Sequence, residues 1–119
     1  MAAGFIVVIA LTTNYFNETS VELRCEHNSN QRVAVGFYRK VPYSNAFERT
    51  IAIGGKTENC TVTPLPDNVK CYCISEQNMG CKIYQQRPTN DGEKWKCAIP
   101  SNSIAVFSNI VRLSFSDSC

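Results

Sequence analysis

The residues best able to do chemistry in this 119-residue chain are seven cysteines and one histidine. The cysteines are Cys25, Cys60, Cys71, Cys73, Cys81, Cys97 and Cys119. A structural zinc site usually spaces its paired ligands by about two to four residues, whereas a single residue separates Cys71 from Cys73. His27 follows Cys25 closely and lies far from the other cysteines. Disulfides, not a metal, are therefore expected, and they place the chain in an oxidising compartment outside the cytosol. The sequons Asn17-Glu18-Thr19 and Asn59-Cys60-Thr61 point to the same compartment, with Asn17 and Asn59 as N-glycosylation positions.

Nothing else assembles into a catalytic set. His27 has no serine or free cysteine placed as a nucleophile beside it, and it reads as a solvated loop side chain. Glu58, Asp67, Glu76, Asp91 and Glu93 form no pair at motif spacing. Gly54-Gly55 lacks the Gly-Lys-Ser/Thr pattern of a phosphate loop. No enzyme activity and no cofactor are expected. The net charge is +2, and Lys and Arg are scattered without a run, so no nucleic-acid or membrane-surface footprint shows. Apolar content of 44% and charged content of 18% suit one globular domain over residues 1–119.

Residues 4–11 (GFIVVIAL) have no basic residue before them and are too short to span a bilayer. They are expected to form a buried first strand. On that reading a signal peptide is already absent, and any membrane anchor lies beyond Cys119.

The elements that would position these residues are short strands. Residues 5–11 are β-branched and apolar, and residues 20–26 alternate with Val21, Leu23 and Cys25 on one face. Residues 32–40 alternate again with Val33, Val35 and Phe37 together, and 94–99 do so with Trp95, Cys97 and Ile99. Further strands are expected at 50–53, 68–75, 81–85 and 105–115, separated by turn residues at 28–30, 42, 54–55, 64–67, 78–80 and 88–92. Period-two alternation with no helical period predicts an all-β sandwich of two antiparallel sheets.

Cys25 ends an alternating strand, Phe37-Tyr38-Arg39-Lys40 follows it, and Cys97 lies 72 residues beyond Cys25 with Asp91 and Trp95 shortly before it. In these features the chain resembles an immunoglobulin V-set domain. The resemblance implies a core disulfide between Cys25 and Cys97 on strands B and F, a Phe37 packed on it where tryptophan is usual, and a Trp95 at the tyrosine-corner position. It implies that Asp91 caps the E–F turn and pairs with a basic residue such as Lys70. The last strand lacks the Gly-x-Gly of antigen-receptor joining segments. The extra cysteines and the missing strand C tryptophan resemble the allorecognition receptors of colonial hydroids, whose V-like domains bind like domains on opposing cells.

Among the other cysteines, Cys73 with Cys81 across a short turn and Cys60 with Cys71 is one connectivity; Cys71 with Cys81 and Cys60 with Cys73 is its competitor. Cys119 is left over, either free or paired outside this domain.

If Phe37, Trp95 and Cys97 face inward, then Gly36, Tyr38, Lys40, Lys96 and Ala98 face outward on the sheet of strands C, F and G. Tyr43 and Phe47 add aromatic surface near its edge, and exposed aromatics mark interaction surfaces. The expected function is extracellular binding of another protein through this face, as self-recognition between cells. The other setting is an immunoglobulin module of a soluble invertebrate immune protein. A disulfide-rich inhibitor or toxin that only mimics the pattern is a third.

Overall fold

Ten strands follow one another among the described residues of this computed structural model. They are β1 (Ile9–Asn17), β2 (Ser20–His27), β3 (Val35–Lys40), β4 (Glu48–Lys56), β5 (Asn59–Thr63), β6 (Val69–Ser75), β7 (Asn78–Tyr84), β8 (Lys94–Ser101), β9 (Ile104–Phe107) and β10 (Val111–Arg112). The structure describes residues 7–29, 33–56, 59–63, 66–86 and 90–115. Cys119 and the start of the apolar segment at residues 4–6 lie outside them.

All pairings are antiparallel and form two sheets. The four-stranded sheet has the order β1-β2-β7-β6, and the six-stranded sheet has the order β10-β8-β3-β4-β5 with β9 also on β8. With β2, β3, β7 and β8 lettered B, C, E and F, these orders are A-B-E-D and G-F-C-C′-C″.

The alternation read from the sequence makes the core. Val21, Leu23 and Cys25 of β2, Phe37 of β3, Cys81 and Ile83 of β7 and Trp95 and Cys97 of β8 are all 0% exposed and belong to one cluster. Burying a large apolar side chain of this kind contributes about 1.5–3 kcal/mol. The Cys25–Cys97 disulfide joins the two sheets through this cluster, with Cα atoms 6.2 Å apart. Phe37 is the cross-strand partner of Cys97, so it takes the packing position expected for it.

The second expected connectivity is the one found: Cys71–Cys81 and Cys60–Cys73. A bulge decides it. Residues 78–80 were expected to turn, but the turn is at Glu76-Gln77 and Asn78–Tyr84 is strand. Ser75 opposes Asn78, after which the register slips at Ile74, so that Cys73 faces Met79 and Cys71 faces Cys81. One extra residue on the bulged strand thus brings those two Cα atoms to 4.0 Å. Cys73 is left free to reach Cys60 on the other sheet.

Other boundaries also move. The first strand is not the buried one expected: it starts at Ile9, runs beyond Leu11 to Asn17 because β2 pairs it along its whole length, and buries only Leu11, since it is the edge of its sheet. β4 continues through Gly54-Gly55 because β5, a strand not expected, pairs with both glycines. The expected strand 105–115 is two strands, β9 and β10, broken at residues 108–110. Ser108 holds that break: its hydroxyl accepts from Cys97 N at 2.9 Å and donates to Asn109 O at 2.8 Å. The Asn109 amide then bonds Leu11 N and Leu11 O at 2.9 and 3.0 Å, tying β1 to the opposite sheet. The β8–β9 hairpin closes on Asn102 and Ser103, whose φ values of 52° and 69° are those of a type I′ turn.

Candidate functional site

The outer face of the six-stranded sheet is built in cross-strand rows, because directly opposed residues of antiparallel strands share a face. Lys40 of β3 opposes Lys94 of β8, which opposes Arg112 of β10. The next row is Arg49 of β4, Tyr38 of β3 and Lys96 of β8. The third is Ala52, Gly36, Ala98 and then Phe107 of β9.

These rows differ in chemistry. Lys96 Nζ sits 3.9 Å from the Phe107 ring centroid and 4.5 Å from that of Phe47. Such cation–π contacts hold a flexible ammonium in one place. Tyr38 meets Phe107 edge to face, with centroids 5.2 Å apart. Beside this cluster the small side chains of the third row leave a mainly apolar hollow of about 370 Å³, rimmed by Tyr38, Arg49 and Ile104. Ile104 is 65% exposed at its edge.

The inner face under this sheet carries a buried polar set. Glu93 is 1% exposed. Its carboxylate accepts from Asn90 Nδ2 at 3.1 Å and Trp95 Nε1 at 3.2 Å, and Arg39 lies 3.8 Å away. Burial raises the Glu93 pKa, while Asn90, Arg39 and Trp95 oppose that rise. The indole N–H therefore has a partner where a tyrosine corner would use a hydroxyl.

His27 corrects the expectation of a solvated loop side chain. It is the last residue of β2, only 6% exposed, and its Nδ1 accepts from Ser29 N at 3.2 Å. Burial lowers its pKa, against a smaller opposing effect of the Glu76 backbone. Asp91 is half-buried in the β7–β8 connection, and its carboxylate accepts from Phe115 N at 2.8 Å. It thus anchors the C-terminal end of the sandwich. Among the described residues it makes no ion pair with Lys70, which is exposed on the other sheet.

Of the residues expected on the binding face, Gly36, Tyr38, Lys40 and Lys96 point outward as the alternation requires, and Phe47 joins them through Lys96. Ala98 shares their face but is 4% exposed, because it is the floor of the hollow and not its surface. Tyr43 stands apart: it is 80% exposed and lines a separate polar hollow of about 210 Å³ with Arg39, Asn68 and Gln86. Asn17 is exposed in the β1–β2 turn, where its Oδ1 accepts from Thr19 N, Thr19 Oγ1 and Ser20 Oγ at 2.8, 3.1 and 3.0 Å. Asn59 is the first residue of β5, and its side chain lies outside what the structure describes.

Sequence reasoning missed Phe107, Arg49 and Glu93. Counting in twos back from Phe115 puts Phe107 inside; the break at residues 108–110 shifts the parity, so Val106 opposes Ile99 and Phe107 faces out. Arg49 is hidden in the same way by a bulge in β4, where the register slips between Phe37 and Tyr38. Glu93 was legible, since it stands two residues before Trp95 and shares its inward parity.

No family model matches the chain. No curated protein sequence matches it either. Many solved structures, 974 chains, match it. One is a chain from a structure described as "Structural basis of T cell specificity and activation by the bacterial superantigen toxic shock syndrome toxin-1". It is 14% identical, with a TM-score of 0.69, and the match covers 92% of this chain and 98% of that one. At that identity the likeness shows the fold alone. The three disulfides joined in this small β-sandwich fit an extracellular, protein-binding domain. Among the described residues no helix is long and apolar enough to cross a membrane.

Proposed function

We propose that this chain is an extracellular recognition domain of V-set type that binds another protein through the outer face of its six-stranded sheet, by contact and not by catalysis. The observation that carries this reading is the fixed cluster of Lys96 between Phe47 and Phe107, with Tyr38 edge-on to Phe107. Rigid aromatic side chains bury large area at low entropic cost, which suits them to interfaces. The hollow beside them offers a pocket for one apolar side chain of a partner. V-set membership is supported by the strand order and the Cys25–Cys97 bridge between sheets.

The resemblance to allorecognition receptors makes a like domain on an opposing cell one candidate partner. A soluble immune protein is the other setting. Beads carrying the tethered domain, alone and mixed with cells, test the reading, with the Tyr38→Ala, Phe107→Ala double variant as the control. Aggregation of the beads with one another, lost in the variant, is the expected result for self-recognition. Attachment to cells without self-aggregation, lost in the same variant, keeps protein recognition and rejects self-recognition. Binding that is equal in the two proteins places the site elsewhere and ends the proposal.

A further inference from the structure

The charges on the outer face of the six-stranded sheet have one sign. Lys40, Lys94 and Arg112 stand in register across three strands, and Arg49 and Lys96 occupy the next row. Like charges directly opposite one another destabilise a sheet. No carboxylate stands in either row. The nearest in sequence, Glu48, opposes Arg39 in the alternate register and so faces the other way, and Glu93 is buried inside. The ion pairs formed between described residues are Arg24–Glu22 and Arg39–Glu93, and neither involves these five cations. The whole chain has a formal charge of only +2, so these five of its 12 Lys and Arg form a local excess on this face and not the sign of a generally basic protein.

We infer that this face binds an acidic protein surface that offers one large apolar side chain to the hollow over Gly36, Ala52 and Ala98 and carboxylates to the cations beside it. The inference rests on the proposal that this face is the protein-binding one. Charge complementarity selects the occupant. A second copy docked by the same face would bring five cations against five, since a two-fold contact opposes each patch to itself. A sulfated polysaccharide would satisfy the cations but would leave the apolar hollow and the rings of Tyr38, Phe47 and Phe107 without a use. An acidic protein surface with an apolar anchor uses both halves of the site.

Selection of random phage-displayed peptides against the folded, oxidised domain tests this, with heparin and a second copy of the domain as parallel probes. The expected peptides combine several Asp or Glu residues with one large apolar residue. Their affinity should fall about tenfold or more in the Lys94→Glu, Lys96→Glu double variant. It should return when the peptide's acidic residues are changed to Lys, which separates a charge contact from misfolding. Ala98→Leu, which intrudes on the hollow, should weaken the same peptides while the thermal midpoint reports an intact fold.

Neutral or basic peptides that lose binding in the double variant overturn the acidic partner but keep the face. Heparin binding that the double variant abolishes and Ala98→Leu leaves unchanged assigns the face to polysaccharide and overturns the inference. Self-association lost in the double variant assigns it to a second copy, with the same consequence. Peptides indifferent to every substitution overturn the face itself, and with it the proposed function. An empty selection counts against the acidic partner.

Discussion

The two outer faces of this sandwich are made from the same kinds of residue and arranged in opposite ways. On the four-stranded sheet, Arg24, Lys82 and Gly80 all find partners within the face. Arg24 pairs with Glu22 at 2.6 Å. Lys82 opposes Lys70 on one side but Glu22 on the other, and its ammonium lies 4.5 Å over Phe16 and 5.1 Å over Tyr84. Gly80 is covered by the ring of its cross-strand partner Tyr72, which leaves no room for a Cβ. On the six-stranded sheet, Lys94 has a cation on each side, and the row of Gly36, Ala52 and Ala98 stays uncovered as a hollow. A face whose cation rows hold no carboxylate and whose small residues stay uncovered gives up stability that its counterpart keeps. That difference, more than exposure alone, supports the proposal that this side binds a partner.

Loss of an inter-sheet disulfide is the strongest test of this division. Cys60–Cys73 ties the β5 edge of the six-stranded sheet to β6 of the other. Its sequence separation of 13 gives it about 3 kcal/mol in the chain-entropy view. The Cys60→Ser, Cys73→Ser variant should lose about that much in denaturant unfolding and keep its partner affinity, because the rows that form the face lie on β3, β4, β8, β9 and β10 and none includes a residue of β5 or β6. If affinity falls in step with stability, the edge helps to shape the face and the division is too sharp.

The paired glycines give a smaller and more discriminating effect. At Gly80 a Cβ would stand 2.6 Å from Tyr72 Cε2, so the ring must leave its place. Gly80→Ala should cost about 1–2 kcal/mol and leave binding alone. At Gly36 the nearest atom, Tyr38 Cε1, is 3.2 Å away, and the rest of the surroundings are in ordinary contact. There the gain of about 0.5–1 kcal/mol from replacing a strand glycine roughly offsets the crowding. Gly36→Ala should therefore leave the thermal midpoint nearly unchanged and weaken binding. The reverse pattern would mean that the hollow is a packing defect with no occupant.

How much of this was legible follows from what alternation can and cannot carry. Within an uninterrupted strand, parity placed Val21, Leu23, Phe37, Trp95 and Cys97 inside and Tyr38 and Lys96 outside. The core and the sandwich were legible for that reason, and the Cys25–Cys97 pair through the family resemblance those residues carry. Wherever one residue is inserted, parity fails silently. The bulge at Ile74 chose between the two cysteine connectivities, the one in β4 turned Arg49 outward, and the break after Phe107 hid the ring that holds Lys96. Bulges leave little trace in a single sequence, because any residue with a tolerable backbone conformation can be the extra one. His27 was misread because β2 reaches one residue further than its alternation shows. The cation rows were hidden too: Lys40, Lys94 and Arg112 lie far apart in the chain and become neighbours only through strand register.

Lys94→Glu is the last and subtlest test, and its sign carries the argument. Lys94 is exposed between Lys40 and Arg112, so glutamate there turns two repulsive cross-strand pairs into two attractive ones. Exposed pairs of this type contribute about 0.2–1 kcal/mol, and the variant should be more stable than the natural sequence by about half a kcal/mol at low salt. The gain should vanish near about 1 M salt, where the screening length falls to about 3 Å. The same substitution at Lys82 on the other face should lower stability, because the relief of its pairing with Lys70 is offset by a carboxylate set opposite Glu22, and two ring contacts are lost besides. A domain that becomes more stable and binds more weakly through one exposed residue is keeping an unfavourable arrangement for its partner. If Lys94→Glu instead destabilises the fold, the row of cations is held by contacts of its own, and the contrast between the two faces is one of packing and not of use.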